Sequence, residues 1–429
     1  MNRRWIPGYL LALMLYVLAG TPLAPFHGDE ATLIHSSRDY FDQFVAGDLA
    51  RVMNLRDDDR ADRDLRLLDG RVQKYLGGLA FHLAGGTGEQ LNKPWLWGAP
   101  ARFSLANGHV PAHRLLMAER WAMAVLLALS VPAAYGVGAL LGRAPGGLLM
   151  ATLIAISPNL VLNGRRAMME APLLLFSLLT VFAALKLPAV SPRPAGTAPQ
   201  PSPWRPVLAF GVAAGLALAS KHSAALTVVP LFGALGMLAL SRRSGRELVH
   251  LAAAGVLAIG TFLALNPAWW ASPVEAARET LRLRSELMAM QTSVFGGYVD
   301  LSDSVRGFVR FAILDTPQYF EVPGWEEIGP TIAGYQSSPW VLPSALNTLR
   351  GVVVALLAAV GVVALIRRGD SVAWVAGAWI TGGLAATLVL TPLPWARYYL
   401  PALPPLLALA SAGFGLAWPA SRLRTQPEP

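Results

Sequence analysis

Cysteine is absent from all 429 residues, which excludes disulfides, thiolate metal sites and a cysteine nucleophile. Charge is scarce too. Only 14% of the residues are Asp, Glu, Lys or Arg against 54% hydrophobic, with a mean hydropathy of +0.45. That leaves too little polar surface for a soluble globule of this length, so the chain reads as an all-α integral membrane protein. Acid is the scarcer sign, 26 residues against 35 basic ones, for a net charge of +9. The basic excess falls mostly in short gaps between apolar runs, which marks membrane topology and not a nucleic-acid patch. Corresponding halves with interrupted helices, common in transporters, are also missing.

What is present is a series of apolar runs, each long enough to cross about 30 Å of hydrocarbon. After a first run from Tyr9 to Pro25, candidate spans are Leu116–Leu141, Gly147–Leu162, Ala167–Leu185, Val207–Ser220, Ala224–Leu240, Leu248–Leu265, Ala345–Ile366, Val372–Leu390 and Tyr398–Trp418. These predict a bundle of about ten helices. Asn2-Arg3-Arg4 ahead of the first run resembles a signal peptide, but an uncleaved helix is expected, because cleavage would free the acidic residues that follow from the membrane. The expected organisation is an N-terminal module over 1–187 with a long first outer loop (26–115), and a flexible cytoplasmic loop over 188–206, rich in Pro, Ser and Ala. A C-terminal module over 207–420 with a second outer loop (267–342) and a tail over 421–429 complete it.

His27-Gly28-Asp29-Glu30 follows the first run directly. An ionised group at membrane depth costs about 2.5–3.5 kcal/mol on insertion scales and usually faces a polar cavity or a partner. Asp29 and Glu30 are therefore read as the floor of an active site, against the alternative of an ordinary water-exposed loop. The polar stretch from Ala31 to Arg114 holds Arg56-Asp57-Asp58-Asp59-Arg60 and Asp62-Arg63-Asp64, whose alternating signs suggest a solvated helix face with local ion pairs. Val72, Tyr75, Leu76, Leu79, Ala80 and Leu83 recur at helical spacing and predict an amphipathic helix at the interface. His109 and His113 have metal-ligand spacing, but Pro111 breaks the helix that would align them, and no metal site is expected there.

With the N-terminus cytoplasmic, Arg143, Lys186, Arg193, Arg205, Arg242, Arg243, Arg246, Arg367, Arg368, Arg422 and Arg424 all fall inside, as the positive-inside rule requires. Arg165, Arg166, Lys221 and Arg397 break it. They fall outside with Glu170, His222, Tyr398 and Tyr399, on the face that carries Asp29 and Glu30. Cations and carboxylates at a membrane rim suit a reaction on an anionic lipid: the cations hold a phosphate and stabilise charge that grows on it, and a carboxylate takes a proton from an incoming hydroxyl. Arg166 and Glu170, four residues apart, also fit a plain ion pair.

Phe26-His27-Gly28-Asp29-Glu30 resembles the acidic motif that opens the first outer loop of protein O-mannosyltransferases and the related lipid A aminoarabinose transferases. Arg166-Ala167-Met168-Met169-Glu170-Ala171-Pro172 is similar to their second-loop segment, and Gly215-Leu216-Ala217-Leu218-Ala219-Ser220-Lys221 to their Gly-Leu-Ala…Lys segment. Tyr335-Gln336-Ser337-Ser338-Pro339-Trp340 resembles their Ser-x-Trp element, and Arg397-Tyr398-Tyr399-Leu400-Pro401 the opening of a late helix. The resemblance runs from the first helix to about Pro404. It implies a GT-C fold and an inverting, mannosyltransferase-like enzyme of a prokaryotic plasma membrane that takes a monosaccharide from a polyprenyl-phosphate carrier to an acceptor hydroxyl in the cell envelope. Gln336 stands where a histidine is often found, and no extra soluble domain fills an outer loop, so the acceptor (protein, lipid or polysaccharide) stays open.

In this reading Asp29 is the general base, with Glu30 as the alternative, and Glu30 and Glu170 position acceptor and donor. Arg397 and Lys221 bind the donor phosphate, with Arg165, Arg166 and His222 behind them. His27, Tyr398, Tyr399 and Trp340 are candidates for positioning donor or acceptor, Trp340 also for an aromatic belt. No cofactor is expected, and a divalent metal is left open. Ser272-Pro273-Val274-Glu275 predicts a capped helix over the membrane surface with Val274, Ala277, Leu281 and Met288 on its apolar face, followed by an aromatic stretch that includes Trp325. The alternative to an enzyme is a transporter or a lipid-linked-sugar flippase.

Overall fold

The structure, a computed structural model, describes residues 3–55, 60–190, 204–322 and 328–418; the 56–59 part of the charge run, most of the 188–206 loop, Arg193, Trp325, Arg422, Arg424 and the 421–429 tail lie outside them. Helices of eight residues or more are numbered α1 (Ile6–Ala19), α2 (Gly28–Ser36), α3 (Arg60–Leu68), α4 (Arg71–Leu83), α5 (His113–Ile156), α6 (Pro158–Arg165), α7 (Glu170–Leu185) and α8 (Trp204–Ser220). Then follow α9 (Ala225–Ser241), α10 (Gly245–Leu265), α11 (Pro273–Phe295), α12 (Leu301–Phe308), α13 (Gly329–Gln336), α14 (Ser344–Arg368), α15 (Ser371–Leu390) and α16 (Leu403–Ala417). No strand occurs among the described residues.

The apolar helices pack as a multi-pass membrane bundle with small residues at their crossings. A Cβ on Gly361 would stand 1.9 Å from the Leu409 carbonyl oxygen, and one on Gly413 2.0 Å from that of Leu357, so α14 and α16 touch backbone to backbone. The long α5 is two arms. At Gly142 and Arg143 (φ 59°, ψ −165°) the backbone leaves helical geometry and the chain folds back on itself. A Cβ on Gly138 would meet the Gly146 carbonyl oxygen at 2.7 Å, whereas eight residues of straight helix span about 12 Å.

Seven helices among the described residues are long and apolar enough to cross a membrane, eight if α6 and α7 count as one bent span. This count does not by itself confirm the expected ten, because it takes the two arms of α5 as one helix. The two runs 116–141 and 147–162 correspond to the two arms of α5, the second continuing into α6, while α8 has only 17 residues and α6 meets α7 at a bend of 119°. That bend matters for the site. It carries Arg165 and Arg166 inward and leaves the Ala167 N–H free to bond Glu30.

Two expected surface helices differ from their sequence patterns. α4 does form, but Arg71, Gln73 and Lys74 are buried along with Val72 and Tyr75, while Leu79 and Leu83 are exposed. It is wedged against α5 and the chain near Tyr40, where Cβ atoms on Gly77 and Gly78 would strike Glu119 and Tyr40, and so it is no surface float. α11 starts at Pro273 as predicted, without a side-chain cap from Ser272. Its buried face is Ala276, Thr280 and Leu283, packed near Leu67 and Ala268, and Val274 and Leu281 of the predicted face point outward.

Candidate active site

His27 is the N-cap of α2, and its extended backbone turns the chain so that Asp29 and Glu30 occupy the first helical turn, where carboxylates suit the helix dipole. The Asp29 N–H donates to His27 Nδ1 (3.1 Å), and Glu30 Oε2 accepts the His27 N–H (3.1 Å), a reciprocal cap. Because Nδ1 accepts, the ring proton sits on Nε2 and donates to Glu321 (2.6 Å). Trp95 lies over Gly28 so closely that a Cβ there would come within 2.9 Å of the ring.

Arg397 joins three parts of the chain at this turn. Its Nη1 donates to Asp29, and its Nε lies 3.2 Å from Glu321. The guanidinium therefore sits between two carboxylates, one of them buried and the other a quarter exposed. Burial alone would raise the Asp29 pKa, but Arg397 and then His27 outweigh it and hold Asp29 below the usual carboxylate range. The same balance, with Arg397 again the largest opposing charge, holds Glu321 well below the usual carboxylate range.

A second ion pair stands beside the first: Lys221 Nζ donates to Glu170 Oε1 (2.8 Å), and Glu170 Oε2 is buried with no partner. Glu170 thus pairs with Lys221 and not, as its spacing allowed, with Arg166. His222 follows on the same junction, its Nδ1 buried without a hydrogen bond. The α3–α4 turn reaches this place from the first outer loop. Gly70 allows it, since a Cβ would lie 1.8 Å from the Ser220 carbonyl oxygen, and its N–H points to the Met169 sulfur (3.0 Å). Asp69 feels the charges of Lys74, Arg284, Asp29 and Lys221, but burial dominates and raises its pKa. Lys74, fully buried, is pushed down to about 8 by burial and by Arg71, and donates to the Leu65 carbonyl (2.9 Å). Arg284 of α11 holds the turn by donating to the Leu68 carbonyl (2.8 Å), and Gln291 of the same helix accepts from Tyr398 (2.8 Å).

The other sequence-selected residues sit elsewhere in the packing. Glu30 is completely buried. Its two oxygens accept from Arg120 Nε and Nη2 (2.7 Å each), from Ala167 N–H (2.9 Å) and from His27 N–H. Arg165 spends its donors on the Val17, Tyr16 and Trp340 carbonyls and the Tyr335 hydroxyl. Arg166 donates to the Pro25 and Tyr319 carbonyls. The Tyr399 hydroxyl meets that of Tyr298 (2.6 Å) in a separate cluster, and the Trp340 ring packs on Tyr16 (5.9 Å). Of the twelve candidates, His27, Asp29 and Arg397 share one network, Glu170 and Lys221 form the pair beside it, and Tyr398 borders the first.

Three partners were not singled out from sequence: Glu321, Arg120 and Asp69. Arg120 had a signal, since Glu119-Arg120 stands inside the predicted span Leu116–Leu141, where ionisable residues are expected to have partners. Glu321 had only its position, a lone carboxylate after Tyr319-Phe320, and Asp69 only the glycine that follows it.

Solved structures share this arrangement of helices, which is the fold of the GT-C membrane glycosyltransferases. The archaeal oligosaccharyltransferase AglB from Archaeoglobus fulgidus, solved with an inhibitory peptide and a dolichol-phosphate, superposes with a TM-score of 0.51 at 11% identity, over 95% of this chain and 50% of that one. Its apo form gives 0.53 at 11% identity, over 97% and 50%. ArnT from Cupriavidus metallidurans, bound to undecaprenyl phosphate, gives 0.50 at 12% identity, over 98% and 62%. The chain thus spans half to three-fifths of the length of these proteins. Residues 78–277 match the family described as dolichyl-phosphate-mannose-protein mannosyltransferase. No curated protein sequence matches the chain.

Proposed function

We propose that this protein transfers a monosaccharide from a polyprenyl-phosphate carrier to an acceptor hydroxyl, with inversion, on the extracytoplasmic face of the membrane, both termini being cytoplasmic. The observation that carries the proposal is Arg397 between Asp29 and Glu321, with the Lys221–Glu170 pair beside it. A sugar phosphodiester carries one negative charge, and the departing polyprenyl phosphate gains a second. Fixed cations near the leaving oxygens stabilise that growth more than they stabilise the ground state. Arg397 and Lys221 supply them, and Arg284 and Lys74 add to the field.

Asp29 is the general base. Ionised and a quarter exposed, it stands where it can accept the hydroxyl proton as attack on the anomeric carbon proceeds. Glu321 orients Arg397 and His27, and Glu170 orients Lys221. Glu30 with Arg120, and Arg165 and Arg166 with their carbonyls, brace the turn and the bend on which these groups stand. The place between two carboxylates that a divalent cation would take is filled by a guanidinium, so a chelator is expected to leave turnover unchanged. The test is detergent-purified protein given polyprenyl-phosphate monosaccharides without any membrane gradient. Release of free polyprenyl phosphate supports the proposal; donor binding without release from any sugar, with candidate acceptors supplied, overturns it in favour of transport.

A further inference from the structure

The turn between α3 and α4, Asp69-Gly70, is far in sequence from the Glu170–Lys221 pair but touches the residue before each of its members. The Gly70 N–H points to the Met169 sulfur (3.0 Å), and a Cβ on Gly70 would lie 1.8 Å from the Ser220 carbonyl oxygen. Arg284 of α11 donates to the Leu68 carbonyl (2.8 Å), and the Asp69 N–H donates to the Leu65 carbonyl (3.1 Å). The backbone under Asp69 is therefore fixed.

Its carboxylate is unspent. Asp69 is partly buried and stands among Lys74, Arg284, Lys221 and Asp29, yet its side chain accepts no hydrogen bond and joins no ion pair among the described residues. Glu170, 6% exposed, gives Oε1 to Lys221 and keeps Oε2 buried without a partner. By contrast, Glu30, Asp29 and Glu321 accept from Arg120, Arg397 and His27. A carboxylate withdrawn from water without donors costs free energy unless a bound group brings them. Next to cations that hold a sugar phosphate, the group within reach is the sugar, whose hydroxyls donate to a carboxylate in charge-assisted bonds. A uronic acid would add a further negative charge beside Asp29, Asp69 and Glu170 and is disfavoured.

We infer that Asp69 selects the donor sugar: its carboxylate accepts from hydroxyls of a neutral monosaccharide whose phosphate lies on Lys221 and Arg397, with Glu170 Oε2 as a second acceptor. The inference rests on the proposed function, because it takes these cations as the phosphate site. A site with such acceptors rejects a ring that lacks the matching hydroxyl, since the acceptor is then left unpaired.

Asp69→Asn and Asp69→Ser are compared with wild type for equilibrium binding of polyprenyl-phosphate mannose, polyprenyl-phosphate glucose and polyprenyl methyl phosphate, which has the same charge and no sugar. Thermal midpoints establish folding. Both variants are expected to lose about 10–100-fold in affinity for the preferred sugar lipid, the worth of one hydrogen bond to a charged group. They should bind the methyl phosphate at least as well as wild type, since a negative charge has gone. Deleting the hydroxyls of that sugar one at a time should weaken wild type at the contacted position, and the same deletion should leave Asp69→Ser unaffected. Equal losses for the sugar lipid and the methyl phosphate overturn the inference, because Asp69 then acts through the fold; so do unchanged affinities, and so does failure of both variants to fold. Wild type that binds the methyl phosphate as tightly as either sugar lipid overturns the inference and leaves the phosphate reading standing. Wild type that binds none of the three removes both.

Discussion

Replacing Glu30 by glutamine separates a brace from a chemical group. Glu30 accepts four hydrogen bonds from Arg120, Ala167 and His27 and is fully buried. A glutamine oxygen keeps two of the four. Its amide nitrogen faces two donors, and the Arg120 charge is left without its counter-charge. Removing one partner of a buried pair costs about 3–5 kcal/mol, a large share of a typical stability of about 5–15 kcal/mol. Glu30→Gln is therefore expected to lower the thermal midpoint in detergent strongly, and protein that remains folded should turn over near the wild-type rate at saturating donor. Glu30→Met with Arg120→Met should recover part of the midpoint, because both charges go together, although the Ala167 and His27 N–H groups then lack partners at about 1–3 kcal/mol each. A Glu30→Gln protein with an unchanged midpoint and turnover lost more than a hundredfold would refute this reasoning and make Glu30 a group in the chemistry.

Glu321→Gln removes a charged partner from both Arg397 and His27. Loss of a charge-assisted hydrogen bond, about 1.5–3 kcal/mol, should cut kcat/KM by about 10–100-fold in steady-state donor turnover. Asp29 and Glu321 are both held below their ordinary values near 3.9 and 4.3, so their contribution to stability is complete above those values and is lost as pH falls through the lowered ones. Wild type should thus show no acid loss attributable to this pair above about pH 4, and thermal midpoints of Asp29→Asn and Glu321→Gln against pH should converge on wild type only below it. EDTA dialysis should leave donor turnover unchanged within error, since Arg397 fills the space between the carboxylates.

Much of the fold was legible because apolar runs and the position of basic residues follow directly from burial in hydrocarbon. The first helix, α9, α10, α14 and α15 begin and end within a few residues of their runs. The gap between the runs 116–141 and 147–162, with Arg143 in it, falls where α5 folds back at Gly142-Arg143, but a periodic pattern cannot report the 119° turn between α6 and α7, which depends on Arg165 finding carbonyls on α1. In α4 the apolar spacing named only part of the buried face, Val72 and Tyr75, because Asp39 takes Arg71, with Arg66 of α3, into the interior. At the candidate site, charges that broke the topology rule fall in one region of the fold, but their spacing did not give their partners. Arg165 and Arg397 look alike in sequence, yet one is spent on backbone carbonyls and the other on two carboxylates.

The most direct test of the central proposal is single-turnover release of polyprenyl phosphate by Asp29→Asn and Arg397→Ala, with binding of the same donor measured in parallel. General-base catalysis contributes about 10²–10⁴-fold, so Asp29→Asn should bind donor as wild type does and release it at least a hundredfold more slowly. Arg397→Ala should lose both affinity and rate. Near wild-type release by Asp29→Asn with donor in excess would contradict the assignment of the base.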